Sequence, residues 1–226
     1  MITVVPVIIL TDDGPMAQGS SPELLRELLE TYEYECDRRG APIKRAMAPG
    51  IAEQQIRTML SEVGLVANDE VVTWFSWHDG VSTEIDFTIA VHAMPQFVAA
   101  PLFYAIQRYR EFVLEFEPPY GTDVPWEIFM FGAGEGWLRL VDDLRGCAID
   151  CFGELDPSSP PRIRSASESF DEDGSGRLSR AVSLCTLVTW WLECLRSGAY
   201  SWNAAEQHWE FDPYLEPASK RKALFS

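Results

Sequence analysis

The residues best equipped for chemistry in this chain are few and scattered. His78 stands beside Asp79, and a neighbouring carboxylate can orient an imidazole for general-base work. Such a pair also simply ends a helix, and no His-Glu-x-x-His run occurs to suggest a zinc protease. Asp171 to Ser179 resembles the first nine positions of an EF-hand loop. Oxygen ligands would come from Asp171, Asp173, Ser175 and the Arg177 carbonyl, with Gly176 at the sharp turn. Calcium also needs a bidentate glutamate at the twelfth position, and Val182 stands there. A solvated loop whose Ser179 caps the last helix is the expected structure. Gly132, Gly134 and Gly136 suggest a phosphate cradle, but a strand follows where a dinucleotide site needs a helix. Glu135 would also repel phosphate, so a hairpin turn is expected. Cys147 and Cys151 are four apart without a second pair, which does not make a zinc site. No Gly-x-Ser-x-Gly motif is present. The many carboxylates show no spacing that singles out an acid–base couple. The expectation is a non-enzymatic protein without metal or cofactor.

Aromatic residues among acids point to a different kind of work. Trp77, Trp126, Trp137 and Trp190 lie near Asp79, Asp123, Glu135 and Glu193. Interfaces concentrate binding energy in aromatic anchors with a charged rim. Most of these tryptophans are expected in the core. Trp190, on the polar side of its helix, and Trp137, beside the glycine turn, are the better candidates for a surface.

The elements that must position these residues follow from periodicity. Residues 2–10 are apolar and β-branched and predict a strand; residues 11–21 predict a loop. Ser21 caps a helix that opens with Pro22, and its apolar face is Leu24, Leu25, Leu28 and Leu29. A connection over residues 41–50 leads to two shorter helices. Ile51, Ile56, Met59, Leu60 and Val63 line the first; Val71, Val72, Trp74 and Phe75 line the second. Asn68 or Asp69 caps the second, and Gly80 is read as its stop. Residues 84–91 alternate at period two and predict a strand. A helix is predicted over 101–116, with a β-region from 126 to 165 arranged as an antiparallel meander. The helix over 178–197 is the most apolar, with Cys185 and Cys194 as small core residues. Residues 201–209 predict a short helix. The predicted helices are therefore 22–39, 51–63, 69–79, 101–116 and 178–197, around a mainly antiparallel sheet. That is an α+β fold of one domain, residues 21–210, with an N-terminal strand and loop (1–20) and a tail (211–226).

Composition narrows the function. The chain of 226 residues is 46 % hydrophobic, with eight tryptophans and twelve phenylalanines, enough for a sizeable core. Its 35 acidic and 18 basic residues give a net charge of −17. Such a chain repels phosphate backbones, which disfavours nucleic-acid binding. It attracts basic partners and speeds their encounter. The five widely spaced cysteines do not form a disulfide framework and suit a reducing compartment. No basic residue precedes the apolar run at residues 2–10, as it would in a signal peptide. No run reaches the ~18 apolar residues of a membrane span. A cytoplasmic protein is expected.

The order of parts from Ile51 to Gly80 also resembles the SUKH superfamily. An acidic helix ends in Gly64-Leu65, a polar turn follows, then a helix with a central aromatic, then His78-Asp79-Gly80. His-Asp-Gly stands where Asn-Gly is commoner, and Val66-Ala67 where Leu-Pro is usual. A looser second stretch includes Phe131-Gly132, Gly134, Gly136, Asp142-Asp143 and Ser169-Phe170. The resemblance implies a bacterial immunity protein that binds and blocks a toxin domain, often a nuclease or nucleic-acid deaminase. Its alternative is a cell-wall-regulator type of scaffold with a housekeeping partner. On this reading the acidic surface meets the toxin's basic groove, with contacts at Trp77, Asp79, Glu135, Trp137, Asp142 and Asp143. A third possibility is a small-ligand site or enzyme at His78-Asp79.

Overall fold

A computed structural model describes residues 8–11, 14–17, 21–86, 89, 92–110, 137–142, 148–152, 163–165 and 183–215; side-chain surroundings are described for 21–86, 89, 92–107, 109, 110 and 183–215. Helices and small antiparallel sheets alternate, so the architecture is α+β. The elements are β1 (Ile8–Thr11), β2 (Gly14–Ala17), α1 (Pro22–Arg38), α2 (Ile43–Ala46), β3 (Met47–Pro49), α3 (Glu53–Ser61), α4 (Asp69–Trp77), β4 (His78–Val81), β5 (Val98–Ala99), α5 (Leu102–Tyr109), β6 (Trp137–Asp142), β7 (Ala148–Phe152), β8 (Ile163–Ser165), α6 (Leu184–Ser197), β9 (Tyr200–Asn203) and β10 (His208–Phe211). The largest sheet runs β5-β6-β7-β8, and β1-β2, β3-β4 and β9-β10 are separate pairs. The β6-β7-β8 order is the meander expected from sequence.

The core is built around α6. Its residues Leu184 to Leu192, together with Cys194 and Leu195, are buried. Helix α1 packs against it through Leu25, Leu28, Leu29, Tyr32 and Cys36, which lie on one stripe. Trp191 gathers the aromatics: its ring lies 5.5 Å from Tyr32, 6.1 Å from Trp74 and 6.0 Å from Phe97. Burying a side chain of leucine or phenylalanine size is worth about 1.5–3 kcal/mol, so this stripe supplies much of the driving force. Cys36, Cys185 and Cys194 are buried thiols outside any disulfide, and burial pushes the Cys36 thiol well above its ordinary value.

Both ends of α6 are held by charge from other helices. Glu70 of α4 accepts a hydrogen bond from the Leu184 amide at 2.7 Å. At the other end Arg39 donates to the Leu195 carbonyl at 2.9 Å. These signs complement the helix dipole. Arg39 also donates to the Glu35 carboxylate, and Arg38 adds a contact at 2.8 Å. Burial pushes the Glu35 carboxyl up, but these hydrogen bonds outweigh it and hold it below the usual carboxylate range. A carboxyl lowered on folding contributes stability above its unfolded value of about 4.5 and loses it as pH falls through the lower folded value. Acid titration of near-ultraviolet circular dichroism is therefore expected to show loss of structure below that range. Glu35→Gln should flatten that part of the profile.

Several sequence expectations need correction. Residues 84–91 are not a strand where they are described. Ile89 donates its amide to the Asp86 carbonyl in a helical turn. Ile85 and Ile89, one helical turn apart, both pack on the core. The alternation of apolar residues contained that i, i+4 pair as well. Residues 201–209 form the β9–β10 hairpin instead of a helix. Trp202 faces Trp209 in register with ring centroids 5.4 Å apart, and cross-strand aromatic pairs stabilise such ribbons. Asn203 closes the turn by accepting from the Ala205 and Glu206 amides. Trp190 is 5 % exposed rather than a surface anchor. Thr186 and Thr189 of the supposed polar face are buried too; Thr189 satisfies its hydroxyl on the Cys185 carbonyl. The cap of α6 is Ser183, not Ser179. The predicted N-terminal loop holds β2, which lies beside α6, and the predicted 41–50 connection holds α2 and β3. The EF-hand-like stretch Asp171 to Ser179, the Gly132–Gly136 turn and the part of the predicted β-region before residue 137 lie outside the described residues.

Candidate functional site

Three helices and two strands meet where α4 ends. Helix α4 stops at Trp77 because His78 is already extended (φ −149°, ψ 142°). The chain passes directly into β4, where His78 is opposite Pro49 of β3. This puts Trp77 and His78 beside α1. The Glu33 carboxylate accepts from the Trp77 indole at 3.1 Å and from His78 Nε2 at 2.9 Å. His78 Nδ1 donates to the Ala48 carbonyl at 2.9 Å. The Trp77 and His78 rings meet edge to face at 4.6 Å.

This geometry constrains the chemistry of His78. Both ring nitrogens already face protein oxygens. Neither nitrogen is therefore turned toward a site where a substrate or a metal could reach it. The side chains are also largely covered, His78 at 16 % and Glu33 at 20 % exposure. Asp79 does not face His78. Successive residues of a strand point to opposite sides, and Asp79 instead accepts from the Leu102 amide at 2.7 Å. It thereby caps α5, whose own N-cap residue Pro101 has no side-chain acceptor. Trp77, His78 and Asp79 thus form a clasp joining α1, β3 and α5.

The six residues expected to contact a partner do not form one cluster of described side chains. Trp77 and Asp79 are engaged in the clasp. Trp137 and Asp142 stand at opposite ends of β6, about 17 Å apart at the rise of a strand. Asp142 is opposite Val98, four residues before the amide that Asp79 holds, so those two share a corner. Glu135 and Asp143 lie outside the described residues.

Sequence reasoning missed two features. Glu33 is the acceptor at the centre of the clasp, and it reads in the sequence as one more acid on a helix. The second is the outer face of α1. Glu23, Glu27 and Glu30 are exposed there and make no close ion pair with a described residue, although Arg26 between them attracts Glu23, and Tyr34 on the same stripe is 58 % exposed. The i, i+4, i+7, i+11 spacing that aligns them was legible. Further along α1 the acids are paired, Asp37 with Lys44 at 2.9 Å and Glu35 with Arg38 at 2.8 Å.

No group of His, Cys, Asp and Glu among the described residues is arranged to hold a metal ion. Among the same residues no helix is long and apolar enough to cross a membrane. No family model matches the chain, and no curated protein matches it.

Proposed function

We propose that this chain is a non-enzymatic binding protein of the immunity type, working in the cytoplasm against a basic, nucleic-acid-targeting toxin domain. The observation that carries the reading is the outer face of α1. Three exposed acids, with Arg26 among them and no close ion pair to a described residue, lead along one stripe to an exposed tyrosine on a chain of net charge −17. A basic groove shaped for nucleic acid is complementary to such a face, and long-range attraction speeds its docking. The SUKH-like order of residues 51–80 supports the same reading and suggests a SUKH-like fold. The engaged state of His78 and Asp79 gives no support to a small-ligand site there.

The test is capture of a partner from the source organism with stepwise salt elution, followed by kinetics with the purified partner. A single basic nuclease-like or deaminase-like protein is the expected catch. Reversal of Glu23, Glu27 and Glu30 to lysine should slow association by about tenfold or more at low salt. The same reversal of Glu135, Asp142 and Asp143 tests the contacts read from sequence. Unchanged rates in both variants would discard the acidic-surface mechanism. Recovery of wall-synthesis proteins instead would favour a scaffold.

A further inference from the structure

The β9–β10 hairpin is docked on residues 92–97 by a small set of contacts. The Trp209 indole donates to the His92 carbonyl at 3.2 Å. The Tyr200 hydroxyl donates to Gln96 Oε1 at 3.2 Å. Between these bonds the His92 and His208 rings lie 6.2 Å apart. Trp202 and Trp209 lie partly buried over the core. The hairpin therefore has its own cross-strand pairing, and besides these bonds it is held to the core by Tyr200, Trp202 and Trp209. Such units open locally without global unfolding.

Two histidines face each other across this attachment, and few charges offset them. His208 Nδ1 lies 3.6 Å from Glu206 on the hairpin turn. Glu210, on the same strand face as His208, is bonded to the Asn203 amide at 2.8 Å. On His92 the only charged group that acts among the described residues is His208. Burial lowers the His92 basicity below its ordinary value of 6.5, and His208 lowers it further. Segment 92–97 contributes no other titratable side chain.

We propose that the contact of His92 with His208 forms an acid-sensitive latch, which releases the β9–β10 hairpin from residues 92–97 as pH falls. The sign follows from linkage. The closed form binds protons at His92 less readily than the open form, so falling pH favours opening. The latch is fully closed above the ordinary histidine value of 6.5 and weakens below it. Glu206 offsets part of the repulsion by pairing with His208. Release frees the Tyr200 hydroxyl and the Trp209 indole to solvent and withdraws Tyr200 from the edge of the core, while α1 and α6 stay packed on each other.

Hydrogen exchange of the full chain at pH 7.5 and 5.5, corrected for intrinsic rates, tests this. Amides of residues 200–211 are expected to lose protection severalfold at the lower pH, while α1 and α6 keep theirs. His208→Gln should remove most of that loss, and Glu206→Gln should enlarge it. Histidine ring resonances followed by NMR should show His92 titrating at higher pH in His208→Gln than in the parent. An unchanged pH profile in His208→Gln would overturn the latch, as would equal loss of protection in hairpin and helices.

Discussion

Gly80→Ala is expected to destabilise the protein by about 2–5 kcal/mol, the sum of a left-handed backbone penalty and steric overpacking. Gly80 has φ +68° within β4, so it does not stop α4 but turns β4 against the entry of α5. A Cβ there would lie 2.3 Å from the Pro101 nitrogen and 2.5 Å from the Ala100 carbonyl carbon. Both are backbone atoms and cannot swing aside. To make room the chain at Ala100–Pro101 must move. That movement takes the Leu102 amide away from Asp79, so the substitution also weakens the α5 cap. Gly64 is the natural control. It has φ +79° with nothing within 4 Å of its Cβ position, so Gly64→Ala should cost only the backbone part, about 1–2 kcal/mol. Chemical denaturation of both variants gives the steric part by difference. For a chain of this size the Gly80 variant should melt on the order of 10 °C lower. Asp79→Ala alone should cost about 1 kcal/mol as a lost cap. The double variant should fall short of additivity, because Gly80→Ala has already disturbed that hydrogen bond. Equal costs at Gly64 and Gly80 would show that β4 and the α5 entry are not in close contact.

The same corner shows what was legible in the sequence. The starts of α1 and α4 were, because their caps are local: Ser21 accepts from the Leu24 amide and Asn68 from Glu70 and Val71. Strands β6, β7 and β8 were legible from apolar runs between turn residues. What period alone could not give was the partner of each polar group. His78 and Asp79 are adjacent in sequence, but a strand sends them to opposite sides. Their partners, Glu33 and Leu102, lie 45 and 23 residues away. Trp202 and Trp209 fit a helix by spacing, yet the hairpin turn makes them face each other across strands. Trp190 reads as outward on an isolated helix, but α6 is covered on most sides. Polar residues such as Thr189 survive there because they bond backbone within their own helix. In each case the deciding fact was non-local.

The largest non-local fact is Glu70, and Glu70→Ala is expected to cost about 3–5 kcal/mol, as breaking a buried charged interaction does. The sequence presents it as an ordinary first-turn acid of α4. In the fold it is 3 % exposed, and its position serves two helices at once. It lies in the first turn of α4, two residues after the Asn68 cap. Its Oε2 also takes the Leu184 amide at the start of α6, and the Cys185 thiol donates to Oε1 at 3.6 Å. The positive ends of two helix dipoles therefore converge on one carboxylate. The Leu184 amide is one of the four first-turn donors that α6 cannot satisfy internally; Ser183 serves that of Thr186. Alanine removes the acceptor and leaves that donor buried. Glutamine separates two contributions, since its carbonyl oxygen can still take the Leu184 amide while the charge is lost. Glu70→Gln should cost about 1–2 kcal/mol, the range of charge–dipole interaction in partly buried geometry. Exposed pairs make a contrast. Arg57–Glu53 should weaken in salt, whereas the Glu70 contribution should persist at high ionic strength. Denaturation curves of the parent and both variants at low and high salt measure this directly. If glutamine matched the parent, the charge would contribute nothing and Glu70 would act only as a hydrogen-bond acceptor. If alanine matched it too, the start of α6 would not depend on α4 at all.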